Sequence, residues 1–160
     1  MAAAVAVQAI TDGIRAPDGM LLCYPVLDMR RRFWPSLLWT INDRLVPFVF
    51  LECCMAAYLH PDPATASQIA CDPRCSPALA PEWVLRKLPK TRIVVGDRDP
   101  LYDQCVRFTH QVAALNVDCK LKVYEGMVHG FLSFLWPVVG VPEVKACVDD
   151  CTALLKELAA

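Results

Sequence analysis

The sequence predicts an α/β fold in which three mainly parallel strands are flanked by helices. Residues 20–24 form a short, continuous apolar run, which is typical of a strand buried on both faces. Residues 92–95 are mostly β-branched, and residues 119–124 alternate as a strand does. Helical patterns separate these segments, and such alternation of strands and helices indicates a parallel sheet.

Both ends of the chain have helical patterns. Residues 2–10 are rich in alanine, the best helix former, and Gly13 suits a left-handed helix end. No Ser, Thr, Asp or Asn precedes this helix to cap its first amides, so we expect a further segment upstream. Apolar residues from Val144 to Leu158 recur at alternating steps of three and four, which predicts an amphipathic helix beginning near Pro142.

The middle of the chain is less regular. Residues 26–44 are predicted to be irregular, residues 45–59 to form a helix, and residues 61–81 to be a proline-rich loop. Residues 102–116 form a further helical pattern. Its apolar face includes Cys105, Phe108, Val112 and Leu115.

Composition and charge exclude some classes of function. The 160 residues carry 16 Lys+Arg against 17 Asp+Glu, a formal net charge of −1. The longest block of like charge is Arg30-Arg31-Arg32, so we expect no nucleic-acid partner. With 56% hydrophobic and 21% charged residues, the chain is too apolar to be disordered.

The N-terminus and the nine cysteines indicate a cytoplasmic chain. Residues 1–10 have no basic residue before their apolar run, and residues 45–59 fall short of the ~20 that a membrane span needs. An odd number of cysteines without a secretory signal is typical of reduced thiols that act as small hydrophobes. Two closely spaced cysteine pairs lack a histidine at ligand spacing, so we expect no metal site. These pairs are Cys71/Cys75 and Cys147/Cys151.

We expect the chemistry in two loops, because functional groups in open α/β sheets gather where the strands end. The loop after the second strand contains Asp97, Asp99 and Asp103. The loop after the third strand contains His129 between small or apolar neighbours. A carboxylate that accepts a hydrogen bond from an imidazole fixes its tautomer, as the acid of a nucleophile–base–acid triad does.

Each of these side chains also has a structural interpretation. Asp99 or Asp103 could cap the helix that begins near Tyr102, and a lone histidine in a loop is more often structural than catalytic. Taken together, Asp99 and His129 each follow their own strand, in the order that α/β-hydrolases use. The pair therefore favours the catalytic interpretation.

Five segments of the chain share the motifs of one family. They are residues 2–19 (AAAVAVQAITDGIRAPDG), 20–28 (MLLCYPVLD), 72–81 (DPRCSPALAP), 88–103 (LPKTRIVVGDRDPLYD) and 124–131 (YEGMVHGF). The Asp-Pro-Leu-x-Asp and His-Gly-Phe motifs, with thirty positions from Asp99 to His129, are specific in combination. In these motifs the sequence resembles the hormone-sensitive lipase family of α/β-hydrolases.

The resemblance implies that residues 1–160 are the C-terminal part of an α/β-hydrolase catalytic domain. It implies that Asp99 is the triad acid and His129 the general base, while Asp103 caps the next helix or holds the loop. The family's serine elbow and its His-Gly-Gly oxyanion motif are absent from this sequence, and none of the four serines has a strand–turn–helix setting. Cys23 lies one strand away from the expected elbow, which disfavours it as a substitute nucleophile.

The same resemblance implies a function. We expect the intact protein to be a serine carboxylic-ester hydrolase of lipid degradation that acts on acyl esters or acylglycerols without metal or organic cofactor. This chain supplies the Asp and the His only, so we expect it to be inactive alone. The expected partner is an acyl ester or lipid substrate. Peripheral contact with lipid surfaces such as lipid droplets is left open, and so is the oligomeric state. The alternatives are a non-catalytic lipid- or protein-binding remnant and a truncated gene product without independent function.

Large apolar side chains are concentrated between residues 33 and 50. In the family this region helps to wall the acyl pocket, and the alternative is a surface that packs on a missing part of the domain. The side chains are Phe33, Trp34, Leu37, Leu38, Trp39, Phe48, Val49 and Phe50.

Overall fold

A computed structural model describes residues 1–41, 43, 45–134 and 140–159. Its elements follow in the order helix α1 (Ala2–Thr11), strand β1 (Gly19–Cys23), helices α2 (Phe48–Tyr58), α3 (Pro63–Ala70) and α4 (Glu82–Leu85), strand β2 (Lys90–Gly96), helix α5 (Tyr102–Ala113), strand β3 (Cys119–Tyr124) and helix α6 (Pro142–Ala159). Short 3₁₀ helices lie at Pro35–Ile41, Pro77–Leu79 and Phe131–Phe134.

The three strands form one parallel sheet in the order β1-β2-β3. Leu22 of β1 lies opposite Ile93 of β2, and Ile93 lies opposite Leu121 of β3. The predicted α/β fold with a parallel sheet is therefore confirmed. Because the strands run the same way, the carboxyl ends of β2 and β3 lie side by side at one end of the sheet.

Helices cover both faces of the sheet. On one face α1, α4 and α5 enclose the larger core, where Ile93 and Phe108 are fully buried. On the other face Val144 and Cys147 of α6 pack with Val94. The neighbours Ile93 and Val94 thus point into different cores, as alternation along a strand requires.

Helix α1 ends as the sequence predicts. Gly13 has a φ of +69°, and the next residue, Ile14, donates its backbone N–H to the carbonyl of Ala9 at 2.8 Å. Gly13 itself donates to Ile10 at 3.3 Å, which completes the two-bond helix end that favours glycine. No side-chain hydrogen bond caps the start of the helix at Met1.

The first strand is less buried than predicted, and the third strand is partly exposed. In β1 only Met20 and Leu22 are buried, and Gly19, Leu21 and Cys23 are half-buried. In β3 the side chain of Val123 is 41% exposed. Tyr24, predicted as the last residue of the first strand, lies outside it with a φ of +38°.

The loop predicted at residues 61–81 is wrong, because this segment contains α3 and the 3₁₀ helix Pro77–Leu79. Asp62 caps α3 by accepting a hydrogen bond from the backbone N–H of Thr65 at 2.8 Å. Pro63 occupies the first turn, where a backbone N–H is not needed. The prolines therefore mark helix starts here.

Two predicted helix boundaries shift, and two further elements are found. The helix predicted from residue 45 begins at Phe48, directly after Pro47. A proline disfavours helical backbone at the residue before it, which excludes an earlier start. The stretch predicted as irregular, 26–44, contains the 3₁₀ helix Pro35–Ile41, while its residues 42 and 44 lie outside the described residues. The helix predicted to residue 116 ends at Ala113, and α4 is not predicted at all.

Helix α2 is apolar and yet has no buried residue. Phe48, Val49, Phe50 and Tyr58 are each at least half exposed. Across the part of the chain that the structure describes, no helix has both the length and the apolarity needed to cross a membrane.

The nine thiols are all free, and three of them, Cys23, Cys75 and Cys151, are half-buried. The interpretation as small hydrophobes is right for the three that are buried, namely Cys105, Cys119 and Cys147. It is wrong for the three that are exposed, namely Cys53, Cys54 and Cys71. Two of these exposed thiols lie on the unburied helix α2.

An ion-pair cluster joins the sheet to α6. Arg92 of β2 is 2% exposed, and its guanidinium donates to both carboxylate oxygens of Asp118, at 2.9 Å and 2.8 Å. It also donates to Glu157 of α6 at 2.5 Å. These hydrogen bonds hold the pKa values of both carboxyl groups below their ordinary values of 3.8 and 4.5.

This cluster predicts a loss of stability in acid. Carboxyl groups with lowered pKa values stabilise the fold above their unfolded-state values, and this contribution disappears as the pH falls through their folded-state values. We expect Asp118→Asn/Glu157→Gln to be less stable than the parent chain at pH 7, because it leaves a buried guanidinium unpaired. Between pH 6 and pH 2 its urea midpoint should fall less than that of the parent.

The control is Asp149→Asn, which removes the surface pair with Lys145. Exposed pairs contribute little to stability, so its pH profile should follow that of the parent chain. Equal pH dependence in the double variant and the parent would show that the Arg92 cluster does not produce the acid sensitivity.

Candidate active site

The loops that follow β2 and β3 are joined by backbone hydrogen bonds. The N–H of Asp97 donates to Tyr124 at 3.1 Å, and the N–H of Arg98 donates to Met127 at 3.1 Å. Gly96 lies directly under the second loop, where a Cβ atom would approach the carbonyl oxygen of Met127 to 2.0 Å. The close approach of the two loops therefore requires glycine at this position.

This packing brings Asp99 and His129 together. Nδ1 of His129 lies 2.9 Å from Oδ2 of Asp99. The carboxylate is completely buried, whereas the imidazole is 28% exposed. The other oxygen, Oδ1, accepts the backbone N–H of Leu101 at 2.7 Å, which fixes the orientation of the carboxylate.

The geometry defines what the imidazole can do. An ionised carboxylate only accepts hydrogen bonds, so Nδ1 of His129 carries the proton in this pair. Nε2 then keeps its lone pair and can accept a proton. The arrangement is that of a base held in one tautomer by a buried acid.

Tyr24 also contacts this pair, although it was not among the site residues predicted from the sequence. Its ring lies edge-on to the imidazole of His129, with centroids 4.9 Å apart, and also contacts Phe131. Its N–H donates to Val94 at 2.7 Å, which holds the unusual backbone beside β2. The only sequence signal is its place at the end of a strand, before Pro25.

Asp103 holds the loop rather than capping a helix. Its carboxylate accepts the backbone N–H of Ser36 at 2.6 Å, and among the described residues it accepts no N–H of α5. The hydroxyl of Ser36 in turn donates to the carbonyl of Pro100 at 2.8 Å. The 3₁₀ helix Pro35–Ile41 is thereby fastened to the loop that carries Asp99.

Asp97, the remaining carboxylate of this loop, has a buried Oδ1 without a hydrogen-bond partner in the described part of the chain.

His129 opens onto a cleft of about 1180 Å³. The first turn of α1, the exit of β1 and helix α2 form its walls. Four of the eight apolar side chains expected around a pocket line it, namely Phe33, Trp34, Leu37 and Phe48. The other four, Leu38, Trp39, Val49 and Phe50, are exposed and do not line it.

The described residues place no hydroxyl nucleophile at this imidazole. No serine among them hydrogen-bonds to His129, and the hydroxyl of Ser76 donates to the carbonyl of Ala70. Cys23 lines the cleft, but burial, together with the neighbouring Cys151, raises the pKa of its thiol to about 11. A thiol with so high a pKa is a poor nucleophile at neutral pH.

Comparison with known proteins shows the family to which the fold belongs. A family model described as alpha/beta hydrolase fold matches residues 1–133. The hormone-sensitive lipase of Mus musculus is 39% identical over 71 residues, which are 44% of this chain and 9% of that lipase. An esterase of Acinetobacter venetianus is 29% identical over 135 residues, which are 84% of this chain and 41% of the esterase.

Solved structures show the same fold. Carboxyl esterase 2 from the mycorrhizal fungus Tuber melanosporum matches with a TM-score of 0.84 and 24% identity. The match covers 98% of this chain and 48% of the fungal enzyme. The chain thus spans less than half the length of each of these relatives.

Proposed function

The chain belongs to the α/β-hydrolase fold family, and we propose that its 160 residues are the C-terminal part of the catalytic domain of a serine carboxylic-ester hydrolase. The observation that carries this proposal is the hydrogen bond between Asp99 and His129, together with the apolar cleft that His129 lines. Similarity to esterases and lipases supports the class of reaction. The apolar walls favour acyl esters or acylglycerols as substrates.

In the proposed reaction His129 is the general base. Its Nε2 accepts the proton of a serine hydroxyl while the serine oxygen attacks the ester carbonyl, and it then gives that proton to the leaving alcohol. In the second half it activates the water that cleaves the acyl-enzyme. Asp99 stabilises the imidazolium formed in each half, and neither a metal nor an organic cofactor is needed.

We propose that the serine comes from a segment that precedes α1. Met1 and the first residues of α1 line the same cleft as His129, which supports this proposal.

The isolated 160-residue chain should therefore not hydrolyse nitrophenyl acetate above the rate of the buffer. The reason is that an acid–base pair without a nucleophile or an oxyanion site lacks the groups that form and stabilise the tetrahedral intermediate. Initial rates of the folded 160-residue chain, measured beside those of its His129→Ala variant, test this prediction. Turnover that His129→Ala abolishes would overturn the proposal that the nucleophile lies upstream.

One observation favours a second candidate, a non-catalytic remnant that binds a lipid or a protein. The apolar helix α2 has no buried residue and offers an exposed surface. Binding of dodecyl chains that Asp99→Asn leaves unchanged, in an intact protein without esterase activity, would favour this candidate over the hydrolase.

A further inference from the structure

A second cleft, of about 320 Å³, lies between α5 and the residues that follow β1. Three arginines line it, namely Arg30, Arg32 and Arg107. Asp28 is the carboxylate among its lining residues, and His129 does not line it. The cleft adjoins the larger cleft, because five residues line both of them, but neither Asp99 nor His129 lines it.

The positive charge of this cleft is only partly neutralised. Asp28 is already engaged, since Arg30 donates to its two oxygens at 2.9 Å and 2.7 Å. Burial opposes ionisation of Asp28, but the hydrogen bonds from Arg30 outweigh it and keep its pKa below the ordinary value. Within the described residues, Arg32 and Arg107 form no ion pair. Three guanidinium charges against one carboxylate leave a net charge of +2 among the lining residues.

The side chain of Trp34 forms part of the wall of this cleft. The guanidinium carbon of Arg107 lies 5.7 Å from the centre of the Trp34 ring, which positions the guanidinium beside the cleft. The indole Nε1–H is buried and has no acceptor in the described part of the chain, so Trp34 contributes its ring to the cleft and not its donor.

We propose that this cleft binds a phosphate group, held chiefly by Arg32 and Arg107. A phosphate monoester carries a charge of about −1.5 to −2, which matches the net charge of the lining residues. The planar guanidinium of arginine donates two parallel hydrogen bonds to such an oxyanion. The cleft has the volume of about ten water molecules, so it has room for the group that carries the phosphate as well.

Titration of the folded chain with inorganic phosphate, followed by calorimetry at constant ionic strength, tests the proposal. We expect Arg32→Gln and Arg107→Gln each to weaken phosphate binding about tenfold, because each removes charge-assisted hydrogen bonds. Both side chains are exposed, so their replacement should leave the unfolding midpoint unchanged. Arg107→Lys keeps the charge but loses the paired donors, and should fall between the parent and Arg107→Gln.

The matched control is Arg86→Gln, which removes an arginine of α4 that pairs with Glu82 and does not line the cleft. This variant should bind phosphate as the parent does. Absence of phosphate binding by the parent, or equal affinity in the parent and both cleft variants, would overturn the proposal. Equal competition by acetate at the same ionic strength would also overturn it.

A second arm distinguishes the source of the phosphate. Dihexanoyl phosphatidic acid below its micelle concentration presents the phosphate as a lipid headgroup. Tighter binding of this lipid than of inorganic phosphate, lost in Arg107→Gln, assigns the cleft to a headgroup. Equal or weaker binding, also lost in Arg107→Gln, assigns it to phosphate in solution. Lipid binding that Arg107→Gln leaves unchanged counts against the proposed cleft.

Discussion

His129→Ala should lower kcat for a short acyl ester by about 10⁴-fold in a protein that joins residues 1–160 to the segment with the nucleophilic serine. The reason is that Nε2 of His129 is the proposed acceptor of the serine proton, and no other described base lies at this position. Asp99→Asn should cost about as much, because an amide at this place favours the wrong tautomer of the imidazole. Steady-state rates over a range of substrate concentrations separate kcat from KM.

The matched control is His110→Ala. This histidine lies exposed on α5, so its loss should leave kcat unchanged. The effects of Asp99→Asn and His129→Ala should also not multiply in the double variant, since the two side chains act as one unit. A loss of less than tenfold in His129→Ala would contradict the assignment of this histidine as the base.

Gly96→Ala should destabilise the fold by about 3 kcal/mol or more, at the upper end of the range for overpacked cores. The new Cβ would meet the backbone carbonyl of Met127, and a backbone atom cannot turn aside as a flexible side chain does. The loop that carries His129 must then move away from β2. We therefore expect a lower urea midpoint and loss of the contact between Asp99 and His129.

Gly140→Ala is the control, because a Cβ atom there meets no atom of the described residues within 4 Å. Its unfolding midpoint should stay within about 0.5 kcal/mol of the parent. The low-field proton of a hydrogen-bonded imidazole, observed by NMR, reports on the pair itself. If Gly96→Ala keeps both this proton signal and the parent stability, the packing argument for Gly96 is wrong.

The sequence was sufficient for the parts of the fold that local patterns specify. The strands around Leu22, Ile93 and Leu121 are short and apolar, and the helices between them have clear periodicity. The order of these elements along the chain and the parallel direction of the strands could therefore be predicted. Gly13 was identifiable because a left-handed helix end has a strong residue preference.

Other parts depend on tertiary contacts that no local pattern records. The exposure of α2 is one of them, since an apolar helix normally packs against a core. Helix α3 is different, because its start has a local signal, the cap by Asp62 with Pro63 in the first turn. The prolines of this segment were interpreted as a loop instead.

The candidate site divides in the same way. Asp99 and His129 could be found because each follows its own strand and both belong to specific motifs. Tyr24 could not, because its contact with the imidazole depends on a backbone with a φ of +38°. The bond from Ser36 to Asp103 joins residues 67 positions apart, which no spacing argument connects.

One labelling measurement tests the central claim most directly. A fluorophosphonate ester forms a covalent bond with a serine that an adjacent base activates, and mass spectrometry of the protein isolated from its own cells locates the label. We predict a single label on a serine that precedes Met1 in the chain, and its loss when His129 is replaced by Ala. A label on any residue between 1 and 160, or a label that survives His129→Ala, would contradict the account.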